Sequence, residues 1–102
     1  MSERERLPNR RNSVAFEYDL EGVRYRAQVS HFADGRPAEI FLNGPKIGSA
    51  AQVAAHDAAV AASLALQLGC PATVLSHALL RLANSNGAGP VGKALDLLGV
   101  PA

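Results

Sequence analysis

The hydrophobic period of this chain changes once, between Asn43 and Ser49, and that switch restricts its fold more than any other feature. Before it, apolar residues recur at every second position, the mark of strands with one buried face. Val14, Phe16 and Tyr18 alternate with Ala15 and Glu17. Val23, Tyr25, Ala27 and Val29 alternate with Arg24, Arg26, Gln28 and Ser30, and Ala38, Ile40 and Leu42 with Glu39, Phe41 and Asn43. Asp19 to Gly22 reads as the first turn and Ala33-Asp34-Gly35-Arg36-Pro37 as the second, where glycine supplies positive φ and proline ends a ladder. Connections this short predict a three-stranded antiparallel meander.

After the switch, Ser49 is placed to cap a helix running from Ala50 to about Leu68, where Gly69 stops it. Its larger apolar residues, Val53, Val60, Leu64 and Leu68, predict the buried stripe, and Ala54, Ala58, Ala61, Ala62 and Ala65 predict close approach to a neighbouring backbone. His56, Asp57, Ser63 and Gln67 interrupt it too often for a membrane span. Pro71 suits a first helical turn, and Val74, Leu75, Ala78, Leu79 and Leu82 give a second helix its apolar stripe. Pro90 opens a third, with Val91, Ala94, Leu95 and Leu98 inward and Gly99 and Pro101 closing it. The order βββααα predicts an α+β two-layer sandwich, the helices packed on one face of the sheet. Three strands leave exposed edges, so self-association into a homo-oligomer through a sheet edge is an expectation of this fold.

A length of 102 residues suits one domain, and 48% apolar against 19% charged residues is enough to build a core rather than a disordered chain. Residues 1–12, in which Arg4, Arg6, Arg10 and Arg11 are interleaved with Glu3 and Glu5, read as a flexible arm, and residues 13–99 as the domain. A net charge of +1 provides no global field for nucleic acid or an anionic membrane. The single cysteine, Cys70, rules out an intrachain disulfide and an all-cysteine metal site; with no apolar signal region at the start, a cytoplasmic protein is expected.

Few residues suggest chemistry. The segment Asn43-Gly44-Pro45-Lys46-Ile47-Gly48-Ser49 leads from a strand into a helix N-terminus, where free N–H groups, small glycines and the Lys46 charge suit an anion or a nucleotide. Asn43, Gly44, Lys46, Gly48 and Ser49 are therefore the candidate binding residues, although the spacing is neither that of a Walker loop nor that of a dinucleotide fingerprint. A glycine turn followed by a serine cap explains the same residues without a ligand. Asn86-Gly87-Ala88-Gly89-Pro90 with Lys93 repeats the pattern and reads equally as a linker. Cys70 at a helix start could be an activated thiol if a base such as His56 or His77 reached it. His31, His56 and His77 lack the spacing of zinc ligands, and no Ser-His-Asp or paired-carboxylate arrangement is present. Catalytic residues, metal ligands and cofactors are accordingly assigned as none.

The run from Phe32 to Gly44, FADGRPAEIFLNG, followed by Lys46-Ile47-Gly48-Ser49, resembles the TSCPD-type domain. Ser63-Leu64-Ala65-Leu66-Gln67, Gly69-Cys70-Pro71, His77-Ala78-Leu79 and Gly92-Lys93-Ala94-Leu95-Asp96 resemble its later part. The resemblance covers roughly Ser13 to Leu98. It implies a module like the one at the C-terminal end of adenosylcobalamin-dependent ribonucleotide reductases, also found free-standing. The tetrad that names the family is absent, since the place before the last helix reads Gly89-Pro90-Val91-Gly92. The reductase's radical and substrate-reducing cysteines belong to its large barrel domain, which this sequence lacks.

These readings lead to a non-catalytic accessory module that binds a reductase large subunit or a nucleotide in support of deoxynucleotide supply, with no membrane partner. The alternative is a nucleic-acid-binding module using the basic arm with Arg24 and Arg26 on the wet strand face, where Tyr18 or Phe41 would stack a base. Two arginines and 5% aromatics disfavour it.

Overall fold

A computed structural model describes residues 3–7, 12–44, 48–82 and 89–101. Strands β1 (Ser13–Leu20), β2 (Val23–His31) and β3 (Pro37–Asn43) form an antiparallel meander in the order β1-β2-β3, followed by helices α1 (Ala50–Gln67), α2 (Ala72–Leu82) and α3 (Pro90–Leu98). The α+β meander with three following helices is the architecture its periodicities predict.

Both hairpins follow from local backbone preference. Leu20 pairs with Val23 across a two-residue turn in which Glu21 and Gly22 both have positive φ, 51° and 79°. That is the mirror-image turn whose twist matches the strands, and it suits asparagine or glycine better than glutamate at its first position. Glu21→Asn is expected to raise stability by about 0.5–1 kcal/mol, because the short asparagine amide bonds the local backbone and so tolerates the left-handed conformation better than glutamate does. Urea unfolding checks this, and an unchanged midpoint would reject Glu21 as a strained position. In the second hairpin Gly35 donates to the Phe32 carbonyl at 3.0 Å with φ 94°, and Phe32 N–H donates to the Arg36 carbonyl at 2.8 Å. A register shift at Ser30 and His31 follows.

The inward residues of the strands, Tyr18, Tyr25, Ala27, Val29, Ile40 and Leu42, pack with Val91, Ala94 and Leu95 of α3 and with α1 in one core. The Tyr18 hydroxyl donates to the Pro90 carbonyl at 2.6 Å, tying β1 to the start of α3, and burial beside Tyr25 pushes its ionisation far up. Gly69 (φ 105°) and Gly99 (φ 95°) close α1 and α3; after each, the next N–H returns to the helix, Cys70 to the Ala65 carbonyl and Val100 to that of Leu95.

The buried face of α1 corrects the sequence reading. Val53, Val60, Leu64 and Leu68 point to solvent, and the helix buries Ala55, Ala59, Ala62, Ser63, Leu66 and Gln67. The reason lies in β3. Ile40 N–H donates to Ser63 Oγ at 2.8 Å, Ser63 Oγ donates to the Ile40 carbonyl at 3.2 Å, and Gln67 Nε2 donates to the Ala38 carbonyl at 2.9 Å. Polar groups on the β3 edge need partners once a helix excludes water, and only this face of α1 supplies them. Alanine at three of the buried positions lets the helix come close enough. Ser63 and Gln67 thus hold three backbone groups of the β3 edge, both of Ile40 and the carbonyl of Ala38. On α2, Val74 and Ala78 are exposed, while Leu75 and Leu79 pack against the core.

Candidate functional site

The segment between β3 and α1 places four of the five candidate residues within the described structure; Lys46 lies outside the described residues. Asn43 ends β3, exposed, opposite Arg26. Gly44 faces α1 so closely that a Cβ there would meet Gln52 Cα at 3.0 Å, so glycine at this position serves a helix–strand contact. Gly48 turns the chain with φ 80°. Ser49 caps α1, its Oγ accepting from Gln52 N–H at 3.1 Å and its carbonyl from Val53 N–H at 3.0 Å. Gly44 and Ser49 thus converge on Gln52, and each described residue has an internal contact or a turn to make.

A groove of about 350 Å³ runs between β3 and α1, with Ile40, Phe41, Val60 and Leu64 as apolar walls and Arg4, Glu39 and His56 among its polar lining. The periodicity of the sequence does not reveal it, because it arises where α1 turns its larger side chains outward. Arg4 reaches it because Glu5 N–H donates to the Gln67 carbonyl at 2.7 Å and Arg4 Nε donates to Gln67 Oε1. Glu5 also pairs with Arg36 at 3.0 Å. Arg36 in turn lies 4.6 Å from the Phe32 ring centre and pairs with Asp34 at 2.6 Å. Hydrogen bonds from the Arg36 backbone and side chain hold the Asp34 carboxyl below its ordinary range. A second cavity, about 460 Å³, opens beside Arg36 between His31, Pro37, Pro71, Thr73 and Leu98.

The other sequence candidates are dispersed. Cys70 is half-buried, its Sγ 3.6 Å from the Pro71 carbonyl oxygen, and His31 bonds the Asn12 carbonyl oxygen at 3.1 Å. His56 and His77 are exposed on different helices. Among the described residues no group of His, Cys, Asp and Glu side chains could hold a metal ion. On the wet sheet face Arg24 is held by Asp19 at 3.0 Å and Glu17 at 3.3 Å, and Glu17 stands directly across from Arg26. Asn86, Gly87 and Ala88 lie outside the described residues; Gly89 caps α3 without a side chain, and Lys93 N–H donates to its carbonyl at 2.9 Å. Among the described residues no helix is long and apolar enough to cross a membrane.

Fold and site together define a small α+β module whose described surface offers a groove between β3 and α1 and a second cavity beside Arg36. No protein-family model matches the chain, and no solved structure matches it. Curated proteins do. The chain is 39% identical over 69 residues, 68% of its length, to the vitamin B12-dependent ribonucleotide reductase of Agrobacterium fabrum, of which the matched part is 5%. It is 35% identical over 71 residues, 70% of its length, to the vitamin B12-dependent ribonucleotide reductase of Bradyrhizobium diazoefficiens, covering 6% of that protein. A third match, 35% over 72 residues, is the enzyme of the same name from Rhodopirellula baltica, where 71% of this chain covers 7% of the relative. The chain thus spans only a few per cent of the length of these relatives, and about 70% of it is related to one part of a B12-dependent ribonucleotide reductase.

Proposed function

We propose that this chain is a non-catalytic accessory module of the TSCPD type that acts in the cytoplasm and supports ribonucleotide reduction by binding the large subunit of a cobalamin-dependent reductase or a nucleotide. The observation that carries this reading is the similarity to vitamin B12-dependent ribonucleotide reductases over about 70% of the chain. The β3–α1 segment is the proposed contact, with Asn43, Gly44, Gly48 and Ser49 shaping the backbone and Lys46 supplying charge. Because Gly44 and Ser49 serve the junction with Gln52, the proposal gives recognition to Lys46 and the backbone around it. Nucleic-acid binding is not favoured, since Arg24 is already held by two carboxylates.

Titration calorimetry of the purified chain against a cobalamin-dependent reductase large subunit, in parallel with ribonucleotides and deoxynucleotides, tests this. Saturable binding to one of them is expected, with affinity lowered roughly tenfold in Lys46→Ala by loss of one charged contact. Binding that Lys46→Ala leaves unchanged would move the contact elsewhere. No heat with either partner class would overturn the function. Affinity for a random oligonucleotide that collapses between about 50 and 200 mM salt would instead revive the nucleic-acid reading.

A further inference from the structure

The outward face of α1 is unusual for a helix in water. Of its nine exposed residues, only His56 and Asp57 are polar. Val53 is 49% exposed, Val60 46% and Leu64 38%, and Leu68, just past the helix, 38%. Spacings of seven, four and four residues set these four along one line of the helix surface. Phe41, 49% exposed, adds to them across the groove it shares with Val60 and Leu64. Asp57 stands on the same line between Val53 and Val60, so the apolar surface is concentrated on Val60, Leu64, Leu68 and Phe41, and an exposed patch of this kind marks an interaction site.

We infer that this face is a dimerisation surface on which a second copy of the chain docks with its α1 antiparallel to the first. That arrangement places the two copies' lines of large side chains over one another, with the exposed Asp57 of each copy among them. Val53 and Leu68 lie equally far to either side of the Val60–Ala61 midpoint, so reversing one helix sets Val53 against Leu68 and Val60 against Ala61. The charges select the same direction. Asp57 lies in the first half of α1, while Arg4 is fixed near its end, exposed, on Gln67 and beside Leu64. Antiparallel docking sets Asp57 opposite Leu64 and so brings each Asp57 towards the other copy's Arg4, giving two symmetric ion pairs. A parallel pair would oppose Asp57 to Asp57 and align the two helix dipoles unfavourably.

The size of the face sets the expected strength. An 18-residue helix is about 27 Å long and 10–12 Å across. With Phe41 the covered surface is roughly 500 Å² per copy, smaller than a standard interface and in the range of weak transient ones, so a concentration-dependent dimer is expected.

Sedimentation velocity on the full chain from about 1 to 500 μM tests the inference. The wild type is expected to pass from monomer to dimer across that range. Val60→Glu and Leu64→Lys, both at exposed positions, are expected to stay monomeric with unchanged circular dichroism. Asp57→Arg and Arg4→Asp are each expected to weaken the dimer about tenfold, and the two combined to restore it to within about threefold. A monomer at every concentration would overturn the proposal, as would a dimer indifferent to Val60→Glu. Failure of the double charge reversal to recover what each single reversal loses would overturn the antiparallel arrangement.

Discussion

Ser63→Ala is expected to lower the stability of the fold by about 2–4 kcal/mol, a loss of roughly 10–25 °C in melting temperature for a domain of this size. Ser63 is 8% exposed, and its hydroxyl serves two backbone groups of one residue, accepting from Ile40 N–H and donating to the Ile40 carbonyl. Removing it leaves a donor and an acceptor of β3 facing a helix, where water has little access. The desolvation of both groups then falls on the folded state alone. Ser63→Thr keeps the hydroxyl and is expected to retain most of the stability. Urea unfolding followed by circular dichroism measures both variants. A loss below about 0.5 kcal/mol in Ser63→Ala would mean that water replaces the hydroxyl and that α1 does not seal the edge.

Leu95→Ala is expected to cost about 2–5 kcal/mol by the same measurement. Leu95 is fully buried on α3, in the core built from both strand and helix residues. Truncation leaves a cavity enclosed by residues from several elements, so the surroundings can collapse only partly. Leu97, two residues on and 49% exposed, provides the contrast, and Leu97→Ala is expected to change stability by less than about 0.5 kcal/mol. Equal effects at the two positions would show that α3 is rotated from the arrangement described.

The strands were legible in the sequence because their inward and outward sides alternate, the exceptions being Val14, exposed at the start of β1, and Ser30, buried on the polar side of β2 next to the register shift. Tyr25, Ala27, Val29, Ala38, Ile40 and Leu42 are all buried, as period-two reading requires. Helix α3 was legible for a similar reason, since Val91, Ala94 and Leu95 are large or closely packed apolar residues on a short amphipathic element. Helix α1 was not. A helix with apolar residues on every side has no single preferred face by hydrophobicity, and the larger side chains drew the assignment to Val53, Val60, Leu64 and Leu68. What orients it is the pair of polar residues Ser63 and Gln67, one helical turn apart, which answer backbone groups of a strand more than twenty residues earlier. Nothing local to α1 announces that demand. The same is true of Tyr18 reaching Pro90 and of Glu5 reaching Arg36, contacts between residues far apart in the chain.

The candidate segment was legible as a strand-to-helix junction, and the Ser49 cap and the Gly48 turn appear there as the residue types demand. The closeness of Gly44 to Gln52 was not, because a close approach between two backbones depends on how the elements meet. The β3–α1 groove escaped notice for the same reason as the orientation of α1.

Occlusion of β3 by Ser63 and Gln67 has a consequence for assembly in general. A sheet that offers two free margins can add copies at either side indefinitely, and each addition regenerates a fresh margin. Here neither outer margin has a pairing strand among the described residues, but on β3 the Ser63 and Gln67 side chains hold both backbone groups of Ile40 and the Ala38 carbonyl. A strand arriving at β3 would have to displace those side-chain bonds, whereas one arriving at β1 would not, so strand addition is disfavoured on the β3 side. The helix beside β3 in this sense obstructs open-ended stacking of this sheet, since an added strand would first have to displace the bonds that α1 makes to it.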